Sequence, residues 1–181
     1  NKKDLEATID DIRNFAYLYL EKYSPSKQQL RIYLFKKLIK NRQKISSKKE
    51  IFNLIDTVIS SLVDQKFLSD EYYSDAKSKA FLRRGYSLNK IRYNLIKRGI
   101  NEKYIKASIS KIKENESDPD FFSAIKICKR RRIGPCREES NRPLFYKKDI
   151  SILARSGFSY EISKKVLEIP KEEFEKFCKM L

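Results

Sequence analysis

Apolar residues recur at intervals of three and four along most of this chain, which is the period of one helix face. Leu5, Ile9, Ile12, Ala16 and Tyr19 form a first stripe, and Tyr23-Ser24-Pro25 ends it. Ser26 with Gln29 reads as a capping box opening a second helix with Leu30, Leu34 and Leu38 inward. A basic loop, Lys40 to Ser46, follows, and Ser47 with Glu50 opens a third helix whose core side is Ile51, Ile55, Val58 and Leu62. Beyond Phe67, Ser69 or Asp70 caps a helix with Tyr73, Ala76 and Ala80 inward, broken by Gly85. Leu88, Ile91 and Leu95 line the next helix, which Gly99 ends; Asn101 caps another carrying Ile105, Ile109 and Ile112. Asp118-Pro119 has the cap-then-proline order of a helix start, here with Phe121, Ala124, Ile125 and Cys128 inward. Arg137 to Pro143 lacks apolar periodicity and reads as a loop. Lys147 to Ser156 reads as a helix closed by Gly157, and Ser159 caps one with Ile162, Val166 and Leu167 that Pro170 stops. Phe174 and Phe177 belong to a short terminal helix. No stretch alternates with period two, so no sheet is expected.

The pattern also repeats on a longer scale. Ser26 to Lys37 aligns without a gap onto Ser87 to Arg98, 61 positions further on, matching Ser26 with Ser87, Leu30 with Ile91, Arg31 with Arg92 and Leu34 with Leu95. A weaker third copy sets Leu153, Arg155, Gly157 and Phe158 on Leu95, Lys97, Gly99 and Ile100. A repeat of this kind decides architecture. The expectation is an all-α, elongated array of three tandem three-helix units, residues 1–66, 67–117 and 118–181, the last with an extra C-terminal helix. Each unit is small for a self-sufficient core, so neighbours should share burial.

Composition turns the question to partners. Lys and Arg number 41 against 24 Asp and Glu, a net charge of +17. Such a field points to nucleic acid, an anionic surface or an acidic protein groove. There is no histidine, which removes the usual general base and the commonest metal ligand. Three cysteines cannot complete a four-ligand zinc site and suit a reducing cytoplasm better than a disulfide scaffold. No apolar run approaches the roughly 18 residues that would span a bilayer, and Asn1-Lys2-Lys3-Asp4 is not followed by a signal-like segment. Neither paired acids such as Glu172-Glu173 nor any glycine-rich phosphate loop supports catalysis. The chain reads as a non-enzyme without cofactor or metal.

The candidate contacts are therefore basic. Lys36, Lys37, Lys97 and Arg98 fall at equivalent last-turn positions, where the helix dipole alone favours cations. Arg92 aligns with Arg31 in the repeat. Arg83-Arg84 before Gly85 is a further pair. The window Lys126 to Lys148 holds nine basic residues and two acids, among them Arg130, Arg131, Arg132 and Arg137, for which the sequence offers no structural account. Arginine forks suit phosphate and carboxylate. Tyr33, Tyr86, Tyr93 and Tyr146 lie beside basic residues and invite base stacking, although core or boundary packing is the plainer reading at helical spacing.

Three passages resemble the bacterial RecX family, the regulatory proteins of the RecA recombinase. They are Phe67-Leu68-Ser69-Asp70-Glu71-Tyr72-Tyr73-Ser74-Asp75-Ala76, then Arg83-Arg84-Gly85 with Ile91 to Ile100, and Arg131-Arg132-Ile133-Gly134-Pro135 with Leu153 to Phe158. The resemblance runs from about residue 10 to 170 in order and spacing. It implies a non-enzymatic cytoplasmic monomer that lies along the RecA–single-stranded-DNA filament and restrains ATPase, strand exchange and coprotease activity. Single-stranded DNA would be met directly or through RecA. Two other readings stand beside it: a nonspecific nucleic-acid-binding protein acting without RecA, and a helix-turn-helix transcription regulator.

Overall fold

In a computed structural model of the chain, residues 8–40 and 47–181 are described, and every regular element among them is helical. The order is α1 (Ile9–Leu20), α2 (Lys27–Lys40), α3 (Lys48–Asp64), α4 (Asp70–Arg83), α5 (Leu88–Lys97), α6 (Glu102–Asn115), α7 (Pro119–Arg131), α8 (Arg142–Arg155), α9 (Tyr160–Leu167) and α10 (Lys171–Lys179). Leu5 and positions 41–46 of the expected basic loop lie outside the described residues.

The helix starts follow local chemistry. Ser26 and Gln29 cap reciprocally, Gln29 N donating to Ser26 Oγ and Ser26 N to Gln29 Oε1. Ser47 accepts from Glu50 N, Ser159 from Ile162 N, and Thr8 pairs with Asp11 in a full capping box that the apolar pattern did not show. At α4 the cap is Ser69, which accepts from Tyr72 N at 3.2 Å. That leaves the Asp70 carboxylate to accept from Lys27 N at 2.9 Å.

Packing gathers the helices into two compact units. The first comprises the described part of Asn1–Ser74 with Lys97–Asn101. Its core, formed by α1, α2 and α3, buries Ile12, Ala16, Leu30, Leu34, Leu38, Ile55, Val58 and Leu62 almost completely. The second comprises Asp75–Ile96 with Glu102–Leu181. Its main core buries Phe121, Ala124, Ile125, Cys128, Leu153, Val166, Leu167 and Phe174 from α7 to α10.

Three local expectations change. Ala76 is exposed and Ile109 only half-buried. The inward positions are instead Ser74, Ser78 and Ser108. A hydroxyl is small enough to sit inside a helix contact and needs only a local acceptor. Ser78 finds the Asp75 carbonyl at 3.0 Å, and Ser108 the Asp75 carboxylate at 2.6 Å. The segment Arg137–Pro143 is not a plain loop, because a single 3-10 turn occupies Glu139–Asn141 and α8 begins at Arg142. Pro143 is the reason: in the first turn of a helix its missing N–H costs nothing and its φ is already helical.

The aligned positions of the repeat have equivalent structural roles. Leu95 and Leu153 are fully buried, Ile100 and Phe158 nearly so, and Gly99 and Gly157 both take left-handed φ, +73° and +90°.

Candidate functional site

Helix α4 stops at Arg83, and the chain turns at Gly85 with φ +81°. A Cβ there would sit 3.0 Å from Lys126 Cβ and 3.2 Å from the Ser123 carbonyl, so the turn is pressed directly onto α7. Helix α7 ends in Lys129, Arg130 and Arg131, and Arg132 stops it in the left-handed conformation with φ +54°. Arg130 Nη1 then donates to the Arg84 carbonyl at 3.0 Å. Two basic clusters 46 residues apart in sequence are thus joined in the second compact unit. Arg83, Arg84, Lys129, Arg130, Arg131 and Arg132 are all exposed there. Helix dipoles favour a cation or two at a C-terminal end, as at α4 and α7 here. Six cations around two adjoining ends exceed that need and leave a surplus of positive charge that an anion could neutralise.

Three other sequence candidates, Arg92, Arg98 and Lys37, meet partners within the fold. Arg92 pairs with Glu102 at 2.9 Å, as its repeat partner Arg31 pairs with Asp56 at 2.7 Å. Both ties join a second helix of the repeat to the helix after it. Arg98 bonds the Tyr73 phenol, whose pKa burial raises while Arg98 and Gln29 pull it back in part. Lys37 places its ammonium 5.5 Å from the centre of the Phe15 ring. Lys36 and Lys97 are exposed.

Arg137 corrects the expectation that nothing structural accounts for it. Its guanidinium grips Asp149 with two bonds of 2.8 Å and lies 4.3 Å from the centre of the Phe145 ring. Asp149 is 1% exposed and also accepts from Gly134 N at 2.9 Å. A buried carboxylate requires such partners. Arg142 is spent similarly, its Nη2 donating to the carbonyls of both Leu167 and Ile169 at 2.8 Å. Neither role was readable from spacing, because each partner lies one or more elements away. Asp149 at the edge of a basic window was the one available signal.

The three cysteines are free thiols in or against the α7–α10 core, and burial pushes each thiol up in pKa. Among the described residues no group of three or more potential metal ligands occurs, and no helix is long and apolar enough to cross a membrane.

No family model matches the chain. It is similar to the regulatory protein RecX of Myxococcus xanthus (strain DK1622), 27% identical over 164 residues that cover 87% of this chain and 84% of that protein. RecX of Clostridium perfringens (strain SM101 / Type A) is 27% identical over 120 residues, 66% of this chain and 55% of that one. The crystal structure of RecX from Lactobacillus salivarius matches with a TM-score of 0.63 over 93% of this chain and 97% of that chain, at 16% identity. The chain is similar to RecX regulatory proteins in sequence and to RecX in fold. A second RecX crystal structure matches with a TM-score of 0.60 over 89% of this chain and 74% of its own, at 19% identity. The passages that resembled RecX in sequence fall at defined places. Arg83-Arg84-Gly85 is the end of α4, Ile91 to Ile100 is α5 with its glycine stop, and Leu153 to Phe158 is the corresponding end of α8.

Proposed function

We propose that this RecX relative is a non-enzymatic regulator that binds the RecA–single-stranded-DNA filament and restrains its ATPase, strand exchange and coprotease activity. It acts as a cytoplasmic monomer built of three tandem three-helix units, residues 1–66, 67–117 and 118–181, the last with an extra C-terminal helix. The observation that carries the reading is the bond from Arg130 to the Arg84 carbonyl, which assembles six exposed cations in a chain similar to RecX. Arginine at such a cluster fits phosphate oxygens or the carboxylates of a filament groove.

The test is the DNA-dependent ATPase of RecA on single-stranded DNA. Substoichiometric chain should slow hydrolysis, and a triple Arg130/Arg131/Arg132→Ala variant should do so less. Hydrolysis unchanged at equimolar chain would reject the reading. The same cluster also supports phosphate binding without RecA. Equal affinity for bare strands and for RecA filaments would favour that second reading.

A further inference from the structure

In the first compact unit, α1 and α2 run antiparallel, and the seam between them is lined by aromatic rings. Tyr19 stacks on Tyr33 with ring centres 4.0 Å apart and planes at 22°. One turn further on, the Tyr23 ring lies 4.8 Å from Tyr19 at 39°. One turn back, Phe15 meets the Lys37 ammonium. Phe15, Tyr19 and Tyr23 thus step by four along one face of α1 and its C-terminal end, while Tyr33 and Lys37 step by four along α2. Tyr19 and Tyr33 are half-buried, so packing accounts for them. It does not account for Tyr23, which leaves 57% of its surface in solvent at the end of the stack.

The charge beside the seam has one sign on α2. Lys27–Lys40 contains five basic residues and no acid. Arg31 is spent on Asp56, whereas Lys36 and Lys40 are exposed. A half-buried aromatic ladder with one exposed terminal ring, on a seam edged by lysines, matches what a flexible polyanion with planar bases presents. Each base has a π-face for the rings, and each phosphate a charge for an ammonium. Duplex DNA offers no unstacked base to such a ladder, so the complement is a single strand.

We infer that the α1–α2 seam is a direct binding site for single-stranded DNA, with Tyr23 stacking on a base at one end and Lys36 and Lys40 holding phosphates further along the strand, toward the other end. The site adds a nucleic-acid contact in the first unit to the cationic cluster of the second.

The experiment uses the full chain without RecA and follows fluorescence anisotropy of labelled oligothymidine and of an abasic strand of equal length. Wild type should prefer oligothymidine. Tyr23→Ala should weaken oligothymidine binding by about 5- to 100-fold and bring it to the abasic level, as loss of one stacked base requires. Tyr23→Phe should retain the preference. Lys36→Ala with Lys40→Ala should weaken both strands and flatten the salt dependence by roughly 0.7 in log–log slope for each phosphate left without its ammonium. Equal wild-type affinity for the two strands, or a Tyr23→Ala variant with the wild-type preference, would overturn the proposal. Because RecA is absent, that failure would leave the filament reading standing. Loss of ATPase restraint with the base preference intact would do the reverse.

Discussion

Ser26 Oγ donates to the carbonyl of Arg98 at 2.6 Å, tying the start of α2 to the end of α5. The second copy of the repeat makes the same tie: Ser87 Oγ, at the start of α5, donates to the carbonyl of Ser156 at the end of α8, at 3.0 Å. Each hydroxyl also caps its own helix, accepting from Gln29 N and Lys90 N respectively. Beside each one, a carboxylate from the first turn of a later helix, α4 or α7, takes the next backbone N–H. Asp70 serves Lys27 N, and Asp120 serves Leu88 N. The glycine after each tied carbonyl, Gly99 or Gly157, has left-handed φ and no room for a side chain. One hydroxyl, one carboxylate and one glycine therefore make a junction twice, once within each compact unit.

The junction should be sensitive to single atoms. Ser87→Ala removes the cap and strands the Ser156 carbonyl, and Gly157→Ala drives a methyl group into the Ser87 hydroxyl at a strained φ. Each should cost about 1–3 kcal/mol, lowering Tm by roughly 3–10 °C in a chain of this length. Thermal unfolding followed by circular dichroism is the check. A Gly157→Ala variant that melts with wild type would discard the junction as a constraint.

The pair of Arg137 and Asp149 gives a second prediction. Arg137→Ala leaves a carboxylate 1% exposed with one remaining backbone donor. The expected loss is about 3–5 kcal/mol in urea titrations. Replacing both residues by apolar ones of similar size should cost less than the single change. A double variant at least as damaged as Arg137→Ala would contradict this account.

The difference between Arg130 and Arg137 shows what the sequence made legible. Helix period, capping residues and glycine stops are local, and most helices and the Ser26 cap were readable from them, while Ser87 showed only as its match in the repeat. The inward stripe of α4 was legible at Tyr73 but not at Ser74 and Ser78, which are polar by type, yet their hydroxyls can be satisfied locally. The candidate site was legible as charge but not as direction. Arg130 and Arg137 look alike in a basic window, and only the placement of Arg84 and Asp149 sends one outward and the other in. Contacts spanning 46 residues leave no periodic trace.

Electrostatic binding should accordingly depend on the outward residues. A triple Arg130/Arg131/Arg132→Ala variant should lower the salt-dependence slope by about three times 0.7 on single strands, or three times 0.9 on duplex, if each arginine meets a phosphate. If the partners are protein carboxylates, affinity for filaments should fall while weak binding to bare DNA holds. Arg92→Ala, which breaks the Glu102 pair, should instead reduce stability and leave the slope nearly unchanged. A salt series on both substrates separates these outcomes. Wild-type slopes and affinities in the folded triple variant would return the cluster to plain solvated surface.

Asp75 supplies a pH dependence. Burial pushes its carboxyl up, but bonds from Lys111 and Ser108, with the charges of Lys111 and Lys79, outweigh burial and hold it below its ordinary 3.8. A depressed folded-state pKa stabilises above the unfolded value and loses that contribution as pH falls through the folded one. Stability should therefore decline below about pH 4, and Asp75→Asn should make that decline shallower. Denaturant midpoints between pH 2 and 7, compared for both proteins, decide it. Parallel curves would remove Asp75 from the account.

The bond from Arg130 to the Arg84 carbonyl has a consequence for how an anion would be met. A free surface arginine surrenders much of its rotamer freedom when it docks, commonly about 0.5–1.5 kcal/mol. Here folding has already restricted the side chain, and a guanidinium has five N–H groups, of which this bond uses only one. The remaining donors face their partner from a restrained plane, so association at this point costs less disorder than at a side chain without such a bond.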